Sequence, residues 1–298
     1  MSKYRFFIFF WLLISLLFGC AGEKKDGGNR KEEPTVVVSV APQAWFVDQI
    51  AGDLVQTHVM VPNGTNPEEY DPAPRDIAAL EESDLFIYTG TLPFEMVWVE
   101  RLSALEKREV NVSERLPHSL LYPEEEGEGD AEGHSHPLGD PHFWSSFEGG
   151  EILARITYEE LLSLLPGDSL LLKEGYQRLD EKIKELKEEA FAALGKEGTP
   201  KAFLIYHPSL TAFSKETGLT QIAIEYEGKE PAPGRLALVT EEAVRLGAEV
   251  MLIQAEFNPE NARSIARQIG AKTVEINPYD SDWERQMRLL IHALTGEE

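Results

Sequence analysis

Ser169–Leu194 reads SLLLKEGYQRLDEKIKELKEEAFAAL. Leu172, Tyr176, Leu179, Ile183, Leu186 and Ala190 recur at alternating spacings of four and three, with Glu and Lys on the other faces. That is the stripe of an amphipathic helix one face of which is buried. Pro166-Gly167-Asp168 supplies the start signal and the stretch from Gly195 to Pro200 the stop. At 1.5 Å per residue the helix is roughly 39 Å long, enough to run the length of a domain. We therefore assign 168–195 to a linker helix and read outward from it on both sides.

Both flanks alternate short apolar runs with amphipathic segments, the pattern of helices packed on parallel sheets. Before the helix, Thr35–Val40, Val55–Val61 and Asp84–Thr89 read as strands. Helices are expected near 44–51, 74–82 and 93–106. After it, Ala202–Tyr206, Glu249–Ile253 and Lys272–Ile276 read as strands, with helices near 210–217, 240–246, 259–269 and 283–294. The expected fold is α/β: two lobes with parallel-type sheets flanked by helices, at 34–167 and 196–298, joined by the linker helix. A cleft should lie between the lobes. A helical joint bends less readily than paired strands, so hinge freedom should be limited.

The first nineteen residues read as a signal peptide. Lys3 and Arg5 precede the apolar run Phe6–Phe18, which is too short to span a bilayer comfortably. The chain's one cysteine, Cys20, follows Gly19 as in a bacterial lipoprotein cleavage site. Lipidation at Cys20 would anchor an exported protein to the membrane, provided more than one acyl chain is attached. The alternative is an ordinary signal peptide with a chance cysteine. Residues 20–33, rich in Lys, Glu, Asp and Gly, read as a flexible tether. One cysteine gives neither an intramolecular disulfide nor a thiolate metal cluster. The formal charge is −24, and loss of Lys3 and Arg5 with the signal takes it to −26. So acidic a surface argues against nucleic-acid binding.

Candidate chemistry sits on loops beside strands and helix starts, where open α/β sheets bind ligands. Asp140-Pro141-His142-Phe143-Trp144 fixes an imidazole between a proline and aromatics. The acidic loop 123–139 before it carries His134 and His136. Pro62–Pro72 holds Glu68, Glu69 and Asp71; Tyr206–Leu210 holds His207; Asn277–Trp283 holds Asp280 and Asp282. Imidazole and carboxylate are the ligands of zinc, manganese and ferrous iron. Each residue alone also has a plain structural role open to it. The acids can be solvated turn charges, Asp282 the cap of the last helix, and His207 a cap beside Pro208. His58, His118 and His292 lie off these loops and read as surface or structural.

Five ordered motifs together resemble the metal-binding solute-binding lipoproteins of ABC importers, the zinc/manganese/iron cluster A-I family. A glycine, His-x-Tyr and Pro-x-Asp loop matches Gly64–Asp76, and Ser-Asp-Leu with a following glycine matches Ser83–Leu85 and Gly90. Asp-Pro-His-x-Trp matches Asp140–Trp144. His, an aromatic and Gly-Leu match His207, Phe213 and Gly218-Leu219, and a Glu segment before Gly-Ala-Lys matches Glu256–Lys272. The resemblance implies a metal site in the cleft, with His142, His207 and Asp280 as ligands and Asp282 as the rival for the last place. Where the family has its first histidine ligand this chain has Glu68, and a carboxylate can take that place. Two imidazoles and two carboxylates make a harder set than three histidines. The implied cargo is zinc, with manganese or iron possible. The implied partner is a membrane permease, the implied state a monomer lipid-anchored outside the cytoplasm. His134 and His136 resemble a short metal-gathering loop; the other reading of that stretch is a plain disordered insertion.

Two other classes compete. A metallohydrolase needs an open coordination position and a general base, and no His-Glu-x-x-His motif is present. A surface adhesin is compatible with lipid attachment.

Overall fold

The computed structural model describes residues 33–104, 107–122, 140–225, 232–254, 256–257 and 259–296. The leader through residue 32 with Cys20, and the acidic loop with His134 and His136, lie outside the described residues.

Thr35–Val38 forms β1, with Val36, Val37 and Val38 fully buried. Strands covered on both faces read as near-continuous apolar runs, and this one is valine after its first residue. It pairs in parallel with β2 (Gln56–Val59) and β3 (Leu85–Tyr88), and β3 pairs with β4 (Glu109–Asn111), giving the order β2-β1-β3-β4. After the linker, β5 (Ala202–Ile205), β6 (Thr220–Ala223), β7 (Val250–Gln254) and β8 (Lys272–Ile276) repeat it as β6-β5-β7-β8. Every pairing is parallel. The loops leaving the strands of each sheet therefore gather at one edge, at the carboxyl ends.

The helices of the first half are α1 (Ala41–Ala51), α2 (Pro74–Glu82), α3 (Pro93–Ala104), the four-residue α4 (His118–Leu121) and α5 (Phe147–Leu164). The long helix α6 spans Ser169–Leu194. The second half has α7 (Thr211–Thr217), α8 (Pro233–Leu246), α9 (Glu260–Ile269) and α10 (Trp283–Thr295). Four of these elements go beyond the sequence reading: β4, β6, α4 and α5. Helix α8 also begins seven residues before the expected 240.

The expected stripe of α6 is its buried face. Leu172, Leu179, Ile183, Leu186 and Ala190 are all buried, and Tyr176 stacks on Tyr158 of α5 at 4.6 Å. Gly175 lets α1 approach closely, because a Cβ there would come 2.2 Å from the Ile50 carbonyl oxygen. One apolar core runs through both halves, from Val36 and Phe46 to Phe213 and Leu290. Trp283 is its joint: the ring touches those of Trp45 and Phe46 and lies over Gly150, where a Cβ would come within 2.7 Å. Its Nε1–H donates to the Trp144 carbonyl at 2.6 Å, while Trp144 Nε1–H donates to the Pro278 carbonyl at 3.0 Å. No helix among the described residues is long and apolar enough to cross a membrane.

Candidate metal centre

Three loops bring Glu68, His142 and His207 together, with one ligand atom of each within 4.8 Å of the others. Glu68 sits on a single 3-10 turn after β2, Pro67–Glu69, where the Asn66 side chain accepts the Glu68 amide at 3.1 Å. Two residues on, the Tyr70 hydroxyl donates to the buried Asp76 at 2.9 Å, and His58 Nε2 pairs with the same carboxylate at 3.2 Å. His58 thus has a structural partner, and the loop that carries Glu68 is pinned to α2.

His142 is buried. Asp140 Oδ1 accepts from its backbone amide at 2.8 Å and lies 2.9 Å from its Nδ1. His207 is buried too, with Nδ1 3.1 Å from Glu225 Oε2 and its amide donating to the Gln254 side chain at 2.8 Å. Each ring thus has a carboxylate behind Nδ1, which places the Nδ1 proton there and turns Nε2 inward. Such carboxylate–imidazole pairs orient metal ligands and raise their basicity. Glu68 Oε1 lies 3.3 Å from His207 Nε2 and 3.9 Å from His142 Nε2. The two imidazole centroids are 5.1 Å apart.

Burial lowers the pKa of His207, but hydrogen bonds to Glu225 and Glu68 outweigh it and lift the value to about 9. His142 Nε2 is 2.5 Å from the Tyr279 hydroxyl. Burial, reinforced by the charges of Glu68, Glu256 and Asp140, raises the Tyr279 pKa well above its ordinary value. Tyr279 therefore stays a phenol, and with the Nδ1 proton shared with Asp140 it donates to Nε2.

Asp280 stands outside this group. Its Oδ1 accepts the Asp282 amide at 2.8 Å, and its Oδ2 pairs with Arg285 at 2.6 Å, one turn into α10. Asp282 caps that helix by accepting the Arg285 amide at 3.0 Å. Four residues of the site were not singled out by the sequence reading: the orienting Asp140 and Glu225, Gln254, and Tyr279. Asp140 lay inside a quoted motif. Glu225 had no such signal, because it follows the unrecognised strand β6.

The sequence profile of the family described as ZnuA, zinc-uptake complex component A, periplasmic, matches residues 36–295. The chain belongs to that family. A zinc-binding lipoprotein AdcA of Streptococcus pneumoniae is 27% identical to this ZnuA-family chain over 273 residues, covering 89% of the chain and 53% of the relative. The chain thus spans about half the length of the streptococcal proteins it matches. The high-affinity zinc uptake system protein ZnuA of Bacillus subtilis is 26% identical over 275 residues, covering 87% of the chain and 82% of that protein. A crystal structure of ZnuA aligns with a TM-score of 0.76 at 25% identity, covering 89% of this chain and 99% of the other.

Proposed function

We propose that this protein captures a divalent transition metal, zinc foremost, outside the cytoplasm and delivers it to the membrane permease of an ABC importer. The observation that carries the reading is the convergence of Glu68, His142 and His207, with Asp140 and Glu225 behind the two imidazoles. Family membership and relatives named for zinc binding and zinc uptake support it. Glu68, His142 and His207 are the proposed ligands. Zinc accepts such a nitrogen and oxygen set, and the Irving–Williams order favours it over manganese and ferrous iron at equal geometry. Asp140 and Glu225 are hydrogen-bonded to ring nitrogens, so they orient ligands instead of activating water. That arrangement supports a binding protein and not a hydrolase.

Cys20 is the proposed lipid attachment point, the stretch to residue 33 the tether, and a monomer the working unit. A second reading, manganese or ferrous iron as cargo, is favoured by one observation: the carboxylate of Glu68 in the first ligand place. The test is growth and metal uptake of a deletion strain in chelated medium. The wild-type chain should restore uptake, and His142→Ala and His207→Ala should not. Equal rescue by both variants would reject the proposal, and rescue by manganese alone would move the cargo to the second reading.

A further inference from the structure

One carboxylate touches the first half, the linker helix and the second half at once. Glu216 lies in α7, the helix that follows the His207 loop. Its Oε2 accepts the Phe147 amide at 2.8 Å, and its Oε1 accepts the Glu148 amide at 3.2 Å. These are the first two amides of α5, the helix that follows the His142 turn. Lys187 of α6 completes the contact, with Nζ 3.0 Å from the same Oε1 and 3.4 Å from Glu151 of α5. The third amide of α5 is capped locally, by Ser146 Oγ at 3.0 Å. The first amides of a helix have no partner inside it and carry the positive end of its dipole, so a carboxylate there is held by direction as well as by charge. The Glu216 side chain is only 12% exposed, so solvent screens these contacts little. Beside it, the rings of Phe147 and Phe213 of α7 face each other with centroids 6.3 Å apart.

The two helices joined here are those that follow the two imidazoles. His142 leads through the 3-10 turn Phe143–Ser145 into α5, and His207 leads through residues 208–210 into α7. We propose that Glu216 is a positioning residue: it ties α5 to α7 across the boundary between the halves and so fixes the separation of the His142 and His207 rings before a cation arrives. Rings already held with centroids 5.1 Å apart need little further ordering when they take up a metal. Without the tie, a smaller share of the molecules has the rings in place, and the apparent affinity falls by that share. The inference rests on the proposed function above, so its test must separate the two. Glu160 is the control. It lies in the same helix α5, but its partners Arg108 and Arg115, at 2.7 and 2.9 Å, belong to the first half.

Zinc affinity is measured by competition with a chelating dye for the wild-type chain and for Glu216→Ala, Glu216→Gln, Glu160→Gln and His207→Ala. Melting of each metal-free protein is followed in parallel. Glu216→Ala should bind zinc about tenfold more weakly, within the range for cutting a link between coupled parts of a molecule. Glu216→Gln keeps one oxygen for the Phe147 amide and should recover part of that loss. Glu160→Gln should melt lower than wild type and bind zinc as the wild type does. In nitrogen-15 histidine spectra of the metal-free proteins, the His142 and His207 signals should broaden or double in Glu216→Ala, while that of His292 on α10 stays single. A cap with a purely structural role would lower the melting point and leave zinc affinity and those two signals unchanged. That result in both Glu216 variants, beside a loss in His207→Ala, would overturn the proposal and leave the centre standing. An equal loss of affinity in Glu160→Gln would overturn it as well, because a general loosening of α5 would then explain the effect. Wild-type affinity in His207→Ala would overturn the centre itself.

Discussion

His142 and His207 divide the work of an imidazole in the same way, one ring nitrogen on a carboxylate and the other facing Glu68. Two consequences follow at this scale. Because Glu225 and Glu68 hold the His207 pKa near 9, the metal-free protein at pH 7 carries a proton on that ring. A cation must expel it, so binding should release at least one proton, and affinity should rise with pH until about 9. Calorimetry in buffers of different ionisation enthalpy measures that release; a value of zero at pH 7 would contradict the assignment. Glu68 sets the second. Glu68→His replaces a hard oxygen with a softer nitrogen and should shift preference towards zinc over manganese, while Glu68→Ala should weaken both. Competition titrations with the two metals decide it, and unchanged selectivity in the His variant would remove Glu68 from the shell. That Glu68, His142 and His207 come together was legible through the family resemblance, since each alone, on a loop marked by proline, had a plain structural role open to it. Asp280, expected beside them, pairs with Arg285 five residues on.

The strands and helix read from sequence pattern include the long or fully apolar ones, α6, β1, β3, β5 and β7, and also the half-exposed β2 and β8. The missed ones are short or carry signals that mislead. β4 is three residues, and β6 alternates as Thr-Gln-Ile-Ala with only Ile222 fully buried. α5 opens with Gly149-Gly150, which reads as a helix breaker. A Cβ at Gly149 would come 1.8 Å from the Phe143 carbonyl oxygen, and Gly150 makes room for Trp283. Packing overrode propensity there. The turn leaving β3 makes the same point. Gly90 has φ of +80°, and a Cβ would come 1.8 Å from Asn111 Oδ1. The carboxylate of Glu95 accepts the amides of Thr89, Gly90, Thr91 and Leu92 at 2.8–3.2 Å and holds that turn in place. Gly90→Ala should therefore cost more than about 1 kcal/mol. Denaturant unfolding checks this, and an unchanged midpoint would mean that the turn relaxes freely.

Across the whole molecule, two sheets of the same order present their strand ends to one centre, and the core that joins the halves runs through Trp283. Trp283→Ala should lose about 3–5 kcal/mol, the range for emptying a buried aromatic site. It should also disturb Trp144, next to His142, so metal affinity should fall together with stability. A variant that lost neither would show that the halves are not coupled through this ring. The central claim is that loops of both halves meet to hold one divalent metal on His142 and His207. Equilibrium zinc titration of the wild-type chain and the His142→Ala/His207→Ala double variant, against a competing chelator, tests it most directly. The account predicts one tight site per chain in the wild type and its loss in a double variant that remains folded. An undiminished tight site in that variant would contradict it.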